Sequence, residues 1–388
     1  MTLPGVHTPS RAGCSVQLME ATDTTGTPGT LRPTRPQPPA PAGIDVETIT
    51  RWLVAHIAGA NPPLGFELIA GGRSNLTYRV TDATGHCWVL RRPPISHVLP
   101  TAHDMTREYR VITALAPTPV PVPETLGLCT DTSVTGAPFY LMEFIDGLIV
   151  RDEQTALTWL DEGGRRSAGE SLADTLAALH AVDVDKIGLG DFAKREGYVD
   201  RQLRRWIQQF RSSAEPGSPV ARGVESVHDR LAASVPVQSS VAIVHGDYRL
   251  DNTVLAPDGS VRAVLDWEIC TLGDPLADLG MLMVYWAEPG ERASLLGASA
   301  TTLPGFPSRK EICDRYAAAS GRDLSTLGYF TAFGYWKLAC ILQGVYARYA
   351  AGATAGDRSS VEEFLDHIAI LIQAASDALE GQSSLGGQ

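Results

Sequence analysis

The sequence lacks the cysteine pairs of a zinc site or a disulfide framework. Its six cysteines are far apart and none belongs to a C-x-x-C pair: Cys14, Cys87, Cys129, Cys270, Cys313 and Cys340. Structural zinc sites and small secreted domains both depend on closely or regularly spaced cysteines. We therefore expect a protein of a reducing compartment, the cytoplasm.

Long apolar runs are also missing. The N-terminal stretch MTLPGVHTPSRAGCSVQL has no apolar core, and the apolar stretch from Gly328 to Ala353 is interrupted by Lys337, Gln343 and Arg348. A membrane span needs about 20 mostly apolar residues, and a signal peptide needs an apolar centre. We expect neither feature and no membrane partner.

Basic residues are too few for a general nucleic-acid binder. The chain has 32 Lys and Arg against 44 Asp and Glu, a net charge of −12, whereas phosphate binding requires concentrated positive charge. One predicted helix nevertheless has a basic face, formed by Arg201, Arg204, Arg205 and Arg211. This face is either a solvated surface or a contact for an acidic small molecule such as the phosphates of coenzyme A.

The length of 388 residues predicts two lobes, because single cores stop growing at roughly 250–300 residues. Residues 1–43 contain a Thr, Pro and Gly stretch typical of a disordered tail. Residues 44–145 are expected to form an N-terminal lobe, and residues 146–388 a C-terminal lobe that is mainly helical. The predicted fold class is therefore α+β.

Short β-like runs dominate the N-terminal lobe and predict a small antiparallel sheet with one helix after its third strand. They are FELIA (66–70), LTYRV (76–80), CWVLR (87–91) and FYLMEFI (139–145). The second half has helical periodicity, interrupted by VAIVHGD and TVLAPDGSVRAVLDW. The Asp258-Gly259 pair within the latter predicts a β-hairpin.

Polar residues crowd the end of the apolar run VAIV, in the stretch HGDYRLDN (245–252). Asp247 and Asn252 are five residues apart, and Asp266 follows the predicted hairpin. Mg²⁺ prefers hard oxygen ligands and is typically held by one or two side chains together with phosphates. We expect Asn252 and Asp266 to hold Mg²⁺ and Asp247 to orient a hydroxyl, the arrangement of kinase-type phosphoryl transfer.

The other parts of such a site occur upstream in the expected order. The turn GGRSN, which comprises Gly71, Gly72, Arg73, Ser74 and Asn75, is placed to close backbone N–H groups over phosphates. Arg91 occupies the strand position where a kinase has its phosphate-binding Lys, and Glu108 on the next helix is expected to pair with it, although a solvated Glu108 is the alternative. Backbone groups around Glu143, Phe144 and Ile145 are expected to pair with an adenine edge.

These motifs resemble the aminoglycoside phosphotransferase and choline kinase superfamily, whose catalytic loops read HGD-x-x-x-x-N. Phrases such as GGRSNLTYRV, HDMTREYRV, HGDYRLDN and LDWEICTLGDPLADLG are similar to the branch that includes the kinase-like domain fused to certain acyl-CoA dehydrogenases. The resemblance implies a bilobal protein-kinase-like fold, and it implies that Asp278 braces the catalytic loop from within.

For function, the resemblance implies ATP- and Mg²⁺-dependent phosphorylation of a hydroxyl on a small molecule, with a hydroxyacyl-CoA as the acceptor of the dehydrogenase-fused members. Asp247 and Arg249 are the expected catalytic residues, since Arg249 lies where protein kinases direct a Lys toward the γ-phosphate. An aminoglycoside, a choline-like alcohol or a sugar is the alternative acceptor. A catalytically idle nucleotide-binding module is the alternative of another class. The sequence does not indicate an oligomeric state.

Overall fold

The structure, a computed structural model, describes residues 41–70, 75–95, 104–291, 299–350 and 359–381. The predicted tail of residues 1–43 therefore lies outside the described residues, except for residues 41–43. Contacts group the chain into two units. The first comprises Met1–Arg110 and Glu124–Asp146, and the second comprises Val111–Pro123 and Gly147–Gln388.

An antiparallel five-stranded sheet with the order β1-β2-β3-β5-β4 organises the first unit. In chain order, this part of the sequence forms α1 (Val46–His56), β1 (Gly65–Ala70), β2 (Leu76–Thr81), β3 (Cys87–Arg92), α2 (Met105–Leu115), β4 (Thr125–Cys129) and β5 (Phe139–Glu143). The strand β4 was not among those predicted from the sequence.

One face of this sheet forms the core of the unit. Tyr78 pairs with Leu90, and Leu90 pairs with Leu141, so their side chains share a face. They pack in one cluster with Ile49 and Leu53 of α1. Because successive side chains of a strand point to opposite faces, Arg91 lies on the face away from this core.

The second unit is mainly helical, as the sequence predicts. Its elements are α3 (Glu153–Trp159), α4 (Glu162–Ala181), α5 (Tyr198–Arg211), α6 (Pro219–Ala233), β6 (Ala242–Val244), β7 (Thr253–Leu255), β8 (Val261–Val264), β9 (Thr271–Gly273), α7 (Leu276–Tyr285), α8 (Arg309–Ser320), α9 (Leu327–Ala350) and α10 (Ser359–Leu379). β6 pairs with β9, and β7 pairs with β8. The predicted hairpin is thus confirmed, with Gly259 at φ +86° in its turn.

The helices α7 and α9 pack closely at the centre of this unit. A side chain on Gly280 of α7 would come within 2.5 Å of the backbone of Phe330 on α9. Trp336 of α9 is fully buried, and its indole N–H donates to the Val224 carbonyl of α6 at 3.0 Å. The helices α6, α7 and α9 therefore belong to one packed core within the second unit.

The predicted α+β class, with an antiparallel sheet followed by a mainly helical region, is confirmed. No helix within the described residues combines the length and the apolarity that crossing a membrane requires.

Candidate active site

The stretch from His245 to Asn252 forms a tight loop between β6 and β7. Gly246 adopts φ +88°, a left-handed conformation that glycine accepts without strain. Residues Leu250–Asn252 then form a single 3₁₀ turn. The loop therefore brings the Asp247 and Asn252 side chains, five positions apart in the sequence, to one place.

The side chain of Asp278 on α7 binds the backbone of this loop. One carboxylate oxygen accepts the His245 N–H at 2.6 Å, and the other accepts the Gly246 N–H at 2.7 Å. His180 Nε2 lies 3.3 Å from the same carboxylate. Although burial opposes ionisation, the hydrogen bonds from His180 and Gly246 keep the pKa of the Asp278 carboxyl below its usual value. The bracing contact implied by the resemblance is thus present.

His245 has a structural position, in keeping with its being fully buried. Its Nδ1 accepts the Asp247 N–H at 3.3 Å, and its Nε2 donates to the Leu265 carbonyl at 2.8 Å. Since Leu265 precedes Asp266, the imidazole links the loop to the end of the β7–β8 hairpin. The side chain therefore sets the spacing between Asp247 and Asp266.

Asp247 and Asn252 are in direct contact. The Asn252 amide Nδ2 donates to the Asp247 backbone carbonyl at 2.9 Å and to its carboxylate at 3.0 Å. This geometry turns the Asn252 carbonyl oxygen away from Asp247. The arrangement orients the Asp247 carboxylate and presents the amide oxygen as a hard ligand, the type that Mg²⁺ prefers.

Asp266 is the second expected metal ligand, and its backbone is unusual. It adopts φ +63°, and no other non-glycine residue in the described part of the chain has a positive φ. The preceding Leu265 N–H donates to the backbone carbonyl of Asn252 at 2.8 Å, which links the chain segments that carry the two expected ligands. Strained backbone of this kind clusters at functional sites.

The donor set fits Mg²⁺ held partly by a substrate. Among the residues that the structure describes, no three His, Cys, Asp or Glu side chains group as a metal site. Asn252 and Asp266 would supply two hard oxygen ligands and leave the remaining positions to phosphate oxygens and water, as Mg²⁺ commonly requires.

Arg249 lies within a small cluster that sequence reasoning only partly anticipated. Its Nε is 3.0 Å from Asp251 and 3.4 Å from Asp247, and its guanidinium lies 4.8 Å from the ring centroid of Tyr285. Burial and the neighbouring Asp247 carboxylate raise the pKa of Tyr285 well above its usual value. Tyr285 was not predicted, because nothing in its local pattern distinguishes it from other apolar positions of α7.

In the first unit, the expected ion pair between Arg91 and Glu108 is present. Arg91 Nε lies 3.2 Å from Glu108 Oε2, and the side chains are 10% and 1% exposed. The alternative of a solvated Glu108 is therefore wrong. A buried pair of this kind holds the guanidinium of Arg91 in a fixed direction.

The remaining expected nucleotide contacts are only partly described. Gly71, Gly72, Arg73 and Ser74 lie outside the described residues, whereas Asn75 is buried at the start of β2. At the end of β5, the Glu143 N–H donates to the Glu124 carbonyl at 2.8 Å, so this donor is already used within the sheet. Phe144 and Ile145 are half-buried beyond the strand end.

Known proteins resemble this chain over most of its length. The sequence profile of the phosphotransferase enzyme family matches residues 65–312. Acyl-CoA dehydrogenase family member 10 of Mus musculus is 35% identical over 306 residues, which cover 77% of this chain and 28% of that protein. Acyl-CoA dehydrogenase family member 11 of Gallus gallus is 36% identical over 299 residues, which cover 75% of this chain and 37% of that protein. The chain spans about a third of the length of these curated relatives.

Solved structures extend the likeness to the fold. A Ralstonia eutropha protein provisionally assigned as an aminoglycoside phosphotransferase is 31% identical with a TM-score of 0.72, covering 87% of this chain and 98% of that one. Choline kinase of Cryptosporidium parvum has a TM-score of 0.60 at 14% identity, covering 87% of this chain and 96% of that one, and bears on the fold alone. The expected kinase-like fold is thereby confirmed.

Proposed function

Because the chain belongs to the phosphotransferase enzyme family, we propose that it transfers the γ-phosphate of ATP to a hydroxyl group of a small molecule. The observation that carries this proposal is the Asp247 carboxylate, which Asn252 orients at 3.0 Å within a loop that Asp278 holds by two backbone hydrogen bonds. A carboxylate fixed in this way is suited to accept the proton of an attacking hydroxyl.

Asn252, Asp266 and Arg249 are assigned to the metal ion and the transferred phosphate. Asn252 and Asp266 would hold Mg²⁺, which when bound neutralises charge on the phosphate oxygens. Arg249 would leave its carboxylate partners Asp247 and Asp251 to stabilise charge on the moving phosphoryl group. The exchange should change the free energy little, because Arg249 would trade one of its two carboxylate partners for a phosphate oxygen that is also negatively charged.

Nucleotide binding is assigned to the first unit. Arg91, directed by Glu108, would grip phosphate oxygens, and the turn Gly71, Gly72, Arg73, Ser74 and Asn75 would cover them. Backbone groups of Phe144 and Ile145, and the carbonyl of Glu143, would pair with adenine. The N–H of Glu143 is left out of this proposal because the sheet already uses it.

For the acceptor we favour a hydroxyl compound with an anionic group, such as a hydroxyacyl-CoA. The curated relatives are named acyl-CoA dehydrogenase family members. In the structure, Arg201 donates to the carbonyls of Lys194 and Glu196, and Arg211 pairs with Glu225. Arg204 and Arg205 are exposed and form no ion pair with any described residue, and the Arg205 guanidinium lies 5.3 Å from the Trp206 ring centroid. Both cations are therefore accessible to phosphates.

An acceptor screen tests this proposal. ADP release from Mg²⁺-ATP would be measured with hydroxyacyl-CoAs, aminoglycosides, choline and sugars. We expect a hydroxyacyl-CoA to stimulate release, and the double variant Arg204→Ala/Arg205→Ala to raise the KM for that acceptor about tenfold, which corresponds to about 1.4 kcal/mol. The exposed Arg222→Ala serves as the control with unchanged KM.

The alternatives give different results in the same screen. Stimulation by an aminoglycoside, choline or a sugar alone would replace the acyl-CoA acceptor and keep the phosphotransferase. The 31% identical Ralstonia eutropha protein, provisionally assigned as an aminoglycoside phosphotransferase, is the observation that favours an aminoglycoside as the second candidate. If Mg²⁺-ATP raises the melting temperature but no acceptor yields ADP, the chain is an idle nucleotide-binding module.

A further inference from the structure

A buried lysine lies in the middle of the apolar helix α9. Lys337 is 5% exposed and stands between the buried residues Trp336 and Leu338. Removing an ammonium group from water is strongly unfavourable unless hydrogen bonds and opposite charges compensate. A lysine at this position therefore needs partners, and its partners indicate what it does.

The ammonium group is directed at the catalytic loop. Lys337 Nζ donates to the Gly246 carbonyl at 2.8 Å, across 91 positions of sequence. It lies 5.7 Å from the ring centroid of Trp206. Burial lowers the pKa of Lys337, the carboxylates of Asp247 and Asp278 oppose that shift, and Arg205 adds to it.

Gly246 is therefore held from two directions by groups of opposite charge. Asp278 accepts its N–H at 2.7 Å, and Lys337 donates to its C=O at 2.8 Å. A side chain on Gly246 would also come within 3.1 Å of Ile269 and would be strained at φ +88°. The hydrogen bond to Asp278 thus restrains the peptide group before Gly246, and the hydrogen bond from Lys337 restrains the Gly246–Asp247 peptide group.

We propose that Lys337 is a positioning residue for the phosphotransfer reaction. It fixes the plane of the Gly246–Asp247 peptide and thereby the direction in which the Asp247 carboxylate meets the acceptor hydroxyl. Its charge also balances the buried carboxylate of Asp278 and the half-buried carboxylate of Asp247. This inference rests on the proposed function, because it assigns Lys337 to the same reaction.

Two measurements on the full chain test the inference. The first is ADP release from Mg²⁺-ATP with water as the acceptor. A misplacement of about 1 Å at a reacting group can cost about 100-fold in rate. We expect Lys337→Met to lower kcat about 100-fold while the KM for ATP changes less than about threefold, and Lys337→Arg to recover much of the loss, since it keeps the charge and a donor.

The second measurement is amide hydrogen exchange of the loop, which does not depend on turnover. We expect residues 243–252 to exchange faster in Lys337→Met than in the wild type, and not in Lys310→Met, which removes an exposed lysine of the same unit. Should Lys337→Met not fold, Lys337→Leu, which likewise removes both the charge and the donor, supplies the same comparison.

The outcomes separate this inference from the proposed function. A wild type that releases no ADP with any acceptor contradicts the proposed function, and the exchange measurement then decides the role of Lys337 alone. An active wild type whose Lys337→Met variant keeps full kcat overturns the inference and leaves the phosphotransferase intact. Unchanged exchange of residues 243–252 in that variant overturns it as well.

Discussion

At the scale of single residues, the loop His245–Asn252 separates support from chemistry. His245 and Asp278 are buried and engage backbone groups, whereas Asp247 and Arg249 keep 27% and 30% of their side chains exposed. A buried polar group without a hydrogen-bond partner destabilises the fold, so the buried side chains of His245 and Asp278 need partners if they are to hold the loop. The hydrogen bonds of His245 and Asp278 meet this condition.

Substitution of Arg249 and of Arg91 should change different kinetic constants. Arg249→Ala removes a group assigned to the moving phosphate, so kcat should fall about 100-fold or more with little change in the KM for ATP. Arg91→Met removes a group assigned to bound ATP, so the KM for ATP should rise more than kcat falls. Steady-state kinetics with varied ATP distinguish the two patterns.

A kcat of Arg249→Ala equal to that of the wild type would contradict the role of Arg249 in the catalytic step. For Arg91, loss of the ion pair leaves Glu108 buried without this partner, and breaking a buried pair costs about 3–5 kcal/mol. The double variant Arg91→Met/Glu108→Gln, which removes the Glu108 charge as well, is the matched control for stability.

At the scale of elements, the sequence predicted what local signals encode. The Asp258-Gly259 turn predicted the β7–β8 hairpin, and the kinase-type pattern of Asp247, Asn252 and Asp266 predicted that Asp247 and Asn252 act together. The strand β4 was missed because it has only five residues and Gly127, a residue type depleted in strands, stands at its centre. The structure explains that glycine, since a side chain there would come within 3.1 Å of the Trp52 ring.

The long-range contacts of the site were beyond prediction from sequence. The resemblance to a family supplied Asp278, but Lys337 and Tyr285 reach the loop from α9 and α7 only once the helices have packed. Their signal in the sequence was weak. Lys337 stood out only as a charge inside an apolar run, and Tyr285 did not stand out.

Helix packing gives a prediction at this scale. Gly280→Ala should destabilise the second unit, because its side chain would overlap the Phe330 backbone at 2.5 Å. Overpacking costs about 1–3 kcal/mol, which corresponds to a fall of about 2–4 °C in melting temperature for each kcal/mol. The comparison is Gly344→Ala on α9, where the nearest atoms are 3.7 Å away.

Thermal unfolding of both variants checks this packing. Gly344→Ala should melt at or slightly above the wild-type temperature, because alanine is the better helix former. A Gly280→Ala variant as stable as Gly344→Ala would show that α7 and α9 are not in close contact through Gly280.

At the scale of the whole molecule, family membership and substrate are separate conclusions. The chain matches the phosphotransferase enzyme family over residues 65–312 yet spans about a third of its curated relatives. The site residues that would handle ATP follow motifs and could be predicted from sequence. The acceptor could not, since family membership does not fix the substrate, and the side chains proposed to contact it, Arg204 and Arg205, belong to none of the motifs.

The central claim is that Asp247 serves the acceptor hydroxyl in phosphate transfer. Its most direct test follows the γ-phosphate of labelled ATP onto the best acceptor of the screen, in the wild type, in Asp247→Asn and in the control Asp258→Asn, an exposed turn residue. We predict that Asp247→Asn loses about 1,000-fold in transfer rate while Mg²⁺-ATP still raises its melting temperature, and that the control matches the wild type. Full transfer by Asp247→Asn would contradict the account.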